Sequence, residues 1–483
     1  MPSFAALGVP ARLADSLAHR EITAPFPIQA ATLPDTLAGR DVLGRGRTGS
    51  GKTLAFALPL VARLAKLTPG SEAIAARSRA GHPRGLVLAP TRELANQILA
   101  TIAPLAQAAG LTAATIFGGV NQRPQVQQLR RGVDIIVATP GRLEDLMSQG
   151  EAHLSEVAIT VIDEADHMAD LGFLPVVTRI LGATPTGQRM LFSATLDNGV
   201  DRLVRRFLTD PVQHSTDSEQ SPVAAMTHHV FLVADPAGKR EIVRVLAGGE
   251  ARRLLFTRTK HQARKLAREL TADGIPAVEL HGNLSQNARE RGLKAFASGE
   301  VRVMVATDIA ARGIHVDEVD LVVHVDPPAE HKAYLHRSGR TARAGHAGDV
   351  ATLVLPEQRR DFQALARAAR ITVQPAPVTA SDPALLALVG DTADRVDPAT
   401  APTAAASRPT AGVNHSGSRS RSSGTTRGSR PAAPQQARRP QTAQASGRAR
   451  GAAPAGSIGG AAALSAQGSS RGSRHRPVRR SGR

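Results

Sequence analysis

The sequence predicts an α/β protein: two parallel-sheet domains in tandem, followed by a disordered tail. Three observations carry this. Short apolar runs ending in polar or charged residues alternate with helical runs, the pattern of a parallel sheet covered on both faces. The alternation stops once, between Leu208 and Thr227, and then resumes. Beyond residue 400 it does not return, and Ala, Gly, Ser, Pro, Gln and Arg take over.

The run Ile159-Thr160-Val161-Ile162 leads straight into Asp163-Glu164-Ala165-Asp166 and reads as a buried strand ending in charge. Ligands of doubly wound sheets lie outside the carboxyl ends of the strands, which is where this acidic cluster falls. Asp163 is the candidate Mg²⁺ carboxylate, and Glu164 the group that orients or deprotonates a water. A solvated acidic turn would look the same without a phosphate-binding partner.

That partner is Gly46-Arg47-Thr48-Gly49-Ser50-Gly51-Lys52-Thr53, which fits G-x-x-x-x-G-K-[ST]. It follows the short strand Val42-Leu43 and precedes an apolar helical run, Leu54 to Leu67. Glycines let backbone N–H groups curl around phosphate oxygens, Lys52 reaches the β and γ phosphates, and the Thr53 hydroxyl can join Mg²⁺. The first domain therefore reads as an NTPase core.

Four hundred and eighty-three residues allow two or three domains with their own cores. The absence of Cys excludes disulfides and thiolate metal sites. No apolar leader-like region follows Met1, and no window approaches 18 uncharged apolar residues, so a soluble, cytoplasmic protein is expected. The net charge of +19 is uneven: residues 401–483 hold 15 Arg and no Lys, Asp or Glu, leaving +4 for the rest. With no aromatic residue there, such a tail would hold RNA by its phosphates alone, and its deletion should flatten the salt dependence of RNA affinity.

Residues 1–208 form the first expected domain, 209–226 a linker, 227–375 the second domain and 376–483 the tail. Further strands of the first domain run into Pro90-Thr91-Arg92-Glu93-Leu94-Ala95, Thr139-Pro140-Gly141-Arg142 and Ser193-Ala194-Thr195. Thr68 to Arg84 reads as a long surface loop. Strands of the second domain are expected at His229–Val233, Arg253–Phe256, Ala277–Leu280, Val301–Ala306, Leu321–Val325 and Val350–Leu355, with a helix over Lys260–Leu270. This domain has no phosphate loop and should serve the nucleotide of the first. Arg340 and Arg343, three apart in His336-Arg337-Ser338-Gly339-Arg340-Thr341-Ala342-Arg343, could converge on a γ-phosphate. A solvated basic helix end is the plainer alternative.

Taken together, these motifs resemble the DEAD-box ATP-dependent RNA helicases of helicase superfamily two, over about residues 1 to 360. The match includes Phe26-Pro27-Ile28-Gln29 with an isolated Phe4 upstream, the phosphate loop, Pro90 to Ala95, Gly118-Gly119, Thr139 to Arg142, the Asp-Glu-Ala-Asp box and Ser193-Ala194-Thr195. In the second domain it includes Phe256-Thr257-Arg258-Thr259, His281-Gly282, Gln286 with Arg289, Ala306 to Gly313 and the run His336 to Gly345. The resemblance implies two RecA-like lobes that close on ATP, Mg²⁺ and RNA together. It implies that Gln29 and Phe4 meet adenine, that Asp308 faces the nucleotide, and that His336, Arg340 and Arg343 act at the phosphates. Arg92, Gly119, Thr139 and Arg142 would face the RNA backbone from the first lobe, and Arg258, Gly282 and Thr307 from the second. Asp166, Ser193 and Thr195 would couple hydrolysis to the second lobe.

The sequence departs from the family at Gly46, Ser338, Ala342 and Ile22, and at His315, where the family usually has an Asp against the ATP ribose. A histidine cannot accept two hydroxyl bonds as a carboxylate does. Two other readings stay open: an ATP-holding RNA clamp or annealing chaperone with slow turnover, and a DNA-translocating helicase. A monomer serving ribosomal or RNA-decay complexes is the expected setting, and the RNA target is not legible.

Overall fold

The protein's computed structural model describes residues 2–46, 49–66, 78–196, 198–215, 226–311, 319–341 and 348–398. Two all-parallel sheets dominate it. The first contains β1 (Val42–Arg45), β2 (Gly85–Leu88), β3 (Ala113–Ile116), β4 (Ile135–Ala138), β5 (Ile159–Ile162), β6 (Gln188–Ser193) and β7 (Val212–Ser215) in the order β3-β4-β2-β5-β6-β1-β7. The second contains β8 (Met226–Leu232), β9 (Arg253–Phe256), β10 (Ala277–Leu280), β11 (Val303–Ala306), β12 (Leu321–His324), β13 (Gly348–Val354) and β14 (Ala376–Pro377) in the order β10-β11-β9-β12-β13-β8-β14.

Central strands such as Ile135–Ala138 and Ile159–Ile162 are buried at every position, because helices cover both faces. Each sheet consequently separates two apolar layers. In the first, Phe56, Leu60, Ile98 and Phe192 pack on one side and Leu143, Met168, Ile180 and Leu191 on the other. Helix starts follow the local chemistry. Thr91 Oγ1 accepts from Leu94 N (3.2 Å), and Thr259 forms a reciprocal capping box with Gln262.

The expected strands are present, with ends shifted by up to three residues. Three strands fall outside the expected set: β3, β7 and, in the strap described below, β14. β3 is a short edge strand with only two fully buried positions. β7 falls inside the expected linker and pairs with β1, so the first domain runs to Ser215; the rest of that linker, 216–225, lies outside the described residues. The surface-loop reading of Thr68 to Arg84 also changes: residues 67–77 lie outside the described residues, but Ser78 and Arg84 converge on buried Asp134.

The expectation of a tail from residue 376 is corrected for 376–398. β14 pairs with β8, the helix Pro383–Val389 packs its Leu385 and Val389 into the core, and residues 391–396 bond back to Gly248, Glu250 and Gly274. Arg253, 1% exposed, donates to the carbonyl of Ala251 (2.5 Å) and to that of Val389, fastening this strap to the base of β9. Residues 399–483, where the remainder of the expected tail falls, lie outside the described residues. No helix among the described residues is long and apolar enough to cross a membrane.

Candidate nucleotide and nucleic-acid site

Strand order turns scattered motifs into neighbours. β5, β6 and β1 are adjacent, so their carboxyl ends bring together the acidic box, Ser193-Ala194-Thr195 and the phosphate loop. Register is matched, Arg45 against Ser193 and Ile162 against Leu191. The loop itself starts with Gly46 N donating to Ser193 O (3.2 Å).

Gly51 has φ +89° and caps the helix Lys52–Leu64; a Cβ there would stand 2.5 Å from Gln29 Nε2 and 2.7 Å from the Phe26 ring. Gln29, 1% exposed, donates to Gly51 O (2.9 Å) and accepts from Phe26 N (2.9 Å). Its amide thus ties the Phe26–Gln29 segment to the phosphate loop. Phe4 is 4% exposed and packs within the first lobe's core, so its ring offers no stacking face in this conformation. Among the described residues the exposed aromatic at the loop is Phe26, 54% exposed, a residue with no expected role of its own. Lys52 is buried with Nζ 2.6 Å from Gly46 O, and Thr53 follows on the first helical turn. Gly49 and Ser50 complete the described loop, while Arg47 and Thr48 lie outside the described residues.

The acidic box is buried. Burial pushes Asp163 up to about 7 against the pull of the Lys52 ammonium, and Glu164 and Asp166 add to the push. Burial would also raise Glu164, but a hydrogen bond with His167 and the charges of His167, Lys52 and Arg340 outweigh it and hold Glu164 at about 2. Glu164 sits at φ +50°, a left-handed conformation costing about 1–3 kcal/mol, with Oε2 3.2 Å from His167 Nδ1. His167 was not among the expected site residues.

Asp166 accepts from Thr195 N and Oγ1 (both 2.9 Å) and its own N–H bonds Ser193 Oγ (3.3 Å). Ser193 Oγ donates to Thr195 O (2.7 Å). These expected coupling residues therefore lock box to β6 within the first lobe, and none of these bonds crosses to the second.

The expected nucleic-acid residues occupy the other half of the first sheet, at the ends of adjacent β3, β4 and β2. Arg92 lies across Gly119, where a Cβ would stand 1.9 Å from its Nη2. Arg142 donates to Val120 O (3.3 Å), and Thr139 stands at the N-cap position of the helix Pro140–Ser148 without a side-chain capping bond. In the second sheet the same logic groups β10, β11 and β9: Gly282 and Arg258 are exposed at two strand ends and half-buried Thr307 follows the third. Arg258 N bonds Asp326 Oδ2 (3.1 Å).

Both lobes belong to one compact unit, and side chains join them. Arg92 Nη1 donates to Gln286 Oε1 (3.0 Å), and Arg289 pairs with Glu93. The helix His331–Ser338 carries His336 and Arg337, with Arg340 just beyond it. Arg337 forks onto Asp308 and donates to Asp326 O (2.7 Å), so Asp308 holds an arginine here. Arg340, 6% exposed, comes close enough for its charge to act on Glu164. Arg343 and His315 lie outside the described residues.

Among known proteins, the DEAD/DEAH box helicase model matches residues 26–203 and the helicase conserved C-terminal domain residues 238–345. ATP-dependent RNA helicase RhlB of Pseudomonas syringae pv. tomato is 39% identical over 346 residues, 70% of this chain and 86% of that protein. The chloroplastic DEAD-box ATP-dependent RNA helicase 3B of Zea mays is 41% identical over 371 residues, 76% of this chain and 49% of that protein, so the chain spans about half the length of such relatives. The solved structure of S. cerevisiae Dbp5 bound to RNA and ADP BeF3 superposes with a TM-score of 0.69 at 26% identity, covering 80% of this chain and 100% of that one. With two tandem RecA-like lobes, the acidic box and these matches, the chain belongs to the DEAD-box helicase family.

Proposed function

We propose that this protein is an ATP-dependent RNA helicase that hydrolyses ATP in an RNA-stimulated manner, separating short duplexes or remodelling RNA–protein complexes without strong sequence specificity. The observation that supports it best is the assembly of the phosphate loop, with buried Lys52, and the buried acidic box at the neighbouring ends of β1, β6 and β5, with buried Arg340 carried by the second lobe. Phosphates on the loop would draw Lys52 from Gly46 O and meet Arg340 from the other lobe, and arginine supplied this way is worth roughly 10³ to 10⁵ in rate. Relatives named ATP-dependent RNA helicases, and a neighbour bound to RNA and ADP BeF3, support the same reading.

Glu164, kept ionised, is the group that would orient or deprotonate the attacking water, and His167 fixes its rotamer. Asp163 and Thr53 would hold Mg²⁺: a buried carboxylate at the end of β5 and a hydroxyl on the first turn after the phosphate loop suit an ion that takes one or two carboxylates plus phosphate oxygens. When bound, that ion neutralises charge on the transferred phosphoryl group. RNA would lie across Arg92, Gly119, Thr139 and Arg142 and across Arg258, Gly282 and Thr307, read by phosphate and 2′-hydroxyl contacts. Arg343 and His336 would assist Arg340. We place the protein in the cytoplasm as a monomer acting on ribosomal or decay complexes.

The test is steady-state ATPase with and without RNA. Lys52→Ala and Glu164→Gln should abolish RNA-stimulated turnover, and undiminished turnover in either purified variant sinks the assignment.

A further inference from the structure

Behind the arginine-bearing helix lies a buried polar cluster that neither hydrolysis nor RNA contact accounts for. Tyr334, fully buried and the chain's sole tyrosine, places its hydroxyl 2.9 Å from His228 Nδ1 on β8. His324, fully buried at the end of β12, meets the Tyr334 ring edge-on at 4.7 Å and has Nδ1 3.2 Å from Thr352 Oγ1 on β13. Phe256 of β9 closes one side at 6.1 Å from His324, and Phe362 flanks Tyr334 at 6.5 Å. The inner face of the helix continues from Tyr334 to Ser338, whose Oγ donates to Tyr334 O, and to Arg337 on Asp308. Whatever seats Tyr334 therefore sets the position of Arg340, under two turns further on.

The cluster accepts only neutral imidazoles. The Nε2 atoms of His228 and His324 are buried with no hydrogen-bond partner among the described residues. Among the described residues, the carboxylates Asp349, Asp326 and Asp308 are committed elsewhere, to His229 (2.9 Å), to Lys239 (2.8 Å) and to Arg337. Arg337 stands over Phe256 at 5.1 Å and adds a like charge. Burial, then Arg337 and His228, hold His324 well below its ordinary range, and burial with His229 lowers His228 to about 4.

We propose that neutral His228 and His324 are positioning residues that seat Tyr334 and so hold Arg340 at the phosphate site, and that protonating them releases it. This rests on the helicase reading above. A histidine freed from the cluster titrates near 6.5, so at pH 5.5 each one weights the released form about tenfold.

The test compares the full-length wild-type chain with Tyr334→Phe and His228→Gln, by RNA-stimulated ATPase from pH 8 to pH 5. Tyr334→Phe keeps the ring and removes the hydroxyl; kcat at pH 8 should fall roughly fivefold with KM for ATP little changed. His228→Gln keeps a polar partner for Tyr334 without a titrating ring, so its kcat relative to wild type should rise as the pH falls. Near-ultraviolet circular dichroism follows Tyr334 directly, since the chain has no Trp. The wild-type tyrosine band should fade between pH 6.5 and 5 with far-ultraviolet signal intact, and persist in His228→Gln. Superimposable pH profiles, an unchanged tyrosine band, or a Tyr334→Phe loss confined to KM overturns the proposal. Absence of wild-type turnover at pH 8 sinks instead the functional reading, with the tyrosine band still testing the cluster.

Discussion

Arg289 Nε stands 2.5 Å from Glu93 Oε1, an ion pair between residues 196 positions apart whose side chains are 12% and 10% exposed. Glu93 opens the helix after β2 and Arg289 lies on the helix after β10, so this pair fastens one lobe to the other. Arg289 Nη2 also donates to Ala310 O (2.7 Å), next to Thr307 and Asp308. Removing one partner of a buried pair costs about 3–5 kcal/mol because the other charge stays buried. Arg289→Ala should therefore separate the lobes, read as a larger radius of gyration in small-angle X-ray scattering. An unchanged radius contradicts this role.

Gly119 is held at φ +73° beneath Arg92. Gly119→Ala adds a left-handed residue at about 1–2 kcal/mol and pushes the guanidinium aside, breaking its bond to Gln286. Thermal melting should drop slightly while RNA affinity falls several-fold, as titration with a labelled single strand would show. Wild-type RNA affinity would remove Gly119 and Arg92 from the interface.

Asp134 anchors Arg84 (2.7 Å), Ser78 (2.8 Å) and Thr112 (2.9 Å) at the base of the first sheet. Burial alone would raise its pKa, but the bonds from Thr112, Arg84 and Ser78 outweigh that and lower it. A depressed carboxylate contributes stability that is complete above the unfolded value near 4 and is lost as pH falls through the folded value. Asp134→Asn should thus destabilise the first lobe at pH 7 and reduce the acid dependence of its unfolding below pH 4. Equal urea midpoints for both chains across that range would show that Asp134 contributes nothing.

Arg253 is pushed down to about 10, chiefly by burial, yet it holds the carbonyls of Ala251 and Val389. Bonds to a charged group contribute about 1.5–3 kcal/mol each. Arg253→Ala should loosen the strap, and limited proteolysis should then cut between residues 376 and 398 faster than in the wild type. Identical cleavage rates would mean that Leu385 and Val389 packing suffices.

Phe26 leaves 54% of its surface exposed beside Gly51 at the phosphate loop. Phe26→Ala should weaken ATP binding with little loss of melting temperature, measured by calorimetric titration. A large melting shift with unaltered affinity would make it a cap residue only.

The linear sequence determined the local chemistry: strands as apolar runs, the phosphate loop at Gly46–Thr53, carboxylates at Asp163–Asp166, and the 15 Arg of residues 401–483. Those are legible because backbone periodicity and side-chain type act over a few residues. Tertiary structure alone decided that β5, β6 and β1 are neighbours, that Phe4 is buried while Phe26 is not, and that β7 and the strap 376–398 complete the sheets. It also decided the contacts of Arg92 and Glu93 with Gln286 and Arg289, and the seating of Tyr334 between two histidines. The contacts of Arg92 with Gln286, Glu93 with Arg289 and Tyr334 with His228 join residues about a hundred to two hundred positions apart, and they depend on which surfaces the chain buries together, a choice that no local pattern of residue types encodes.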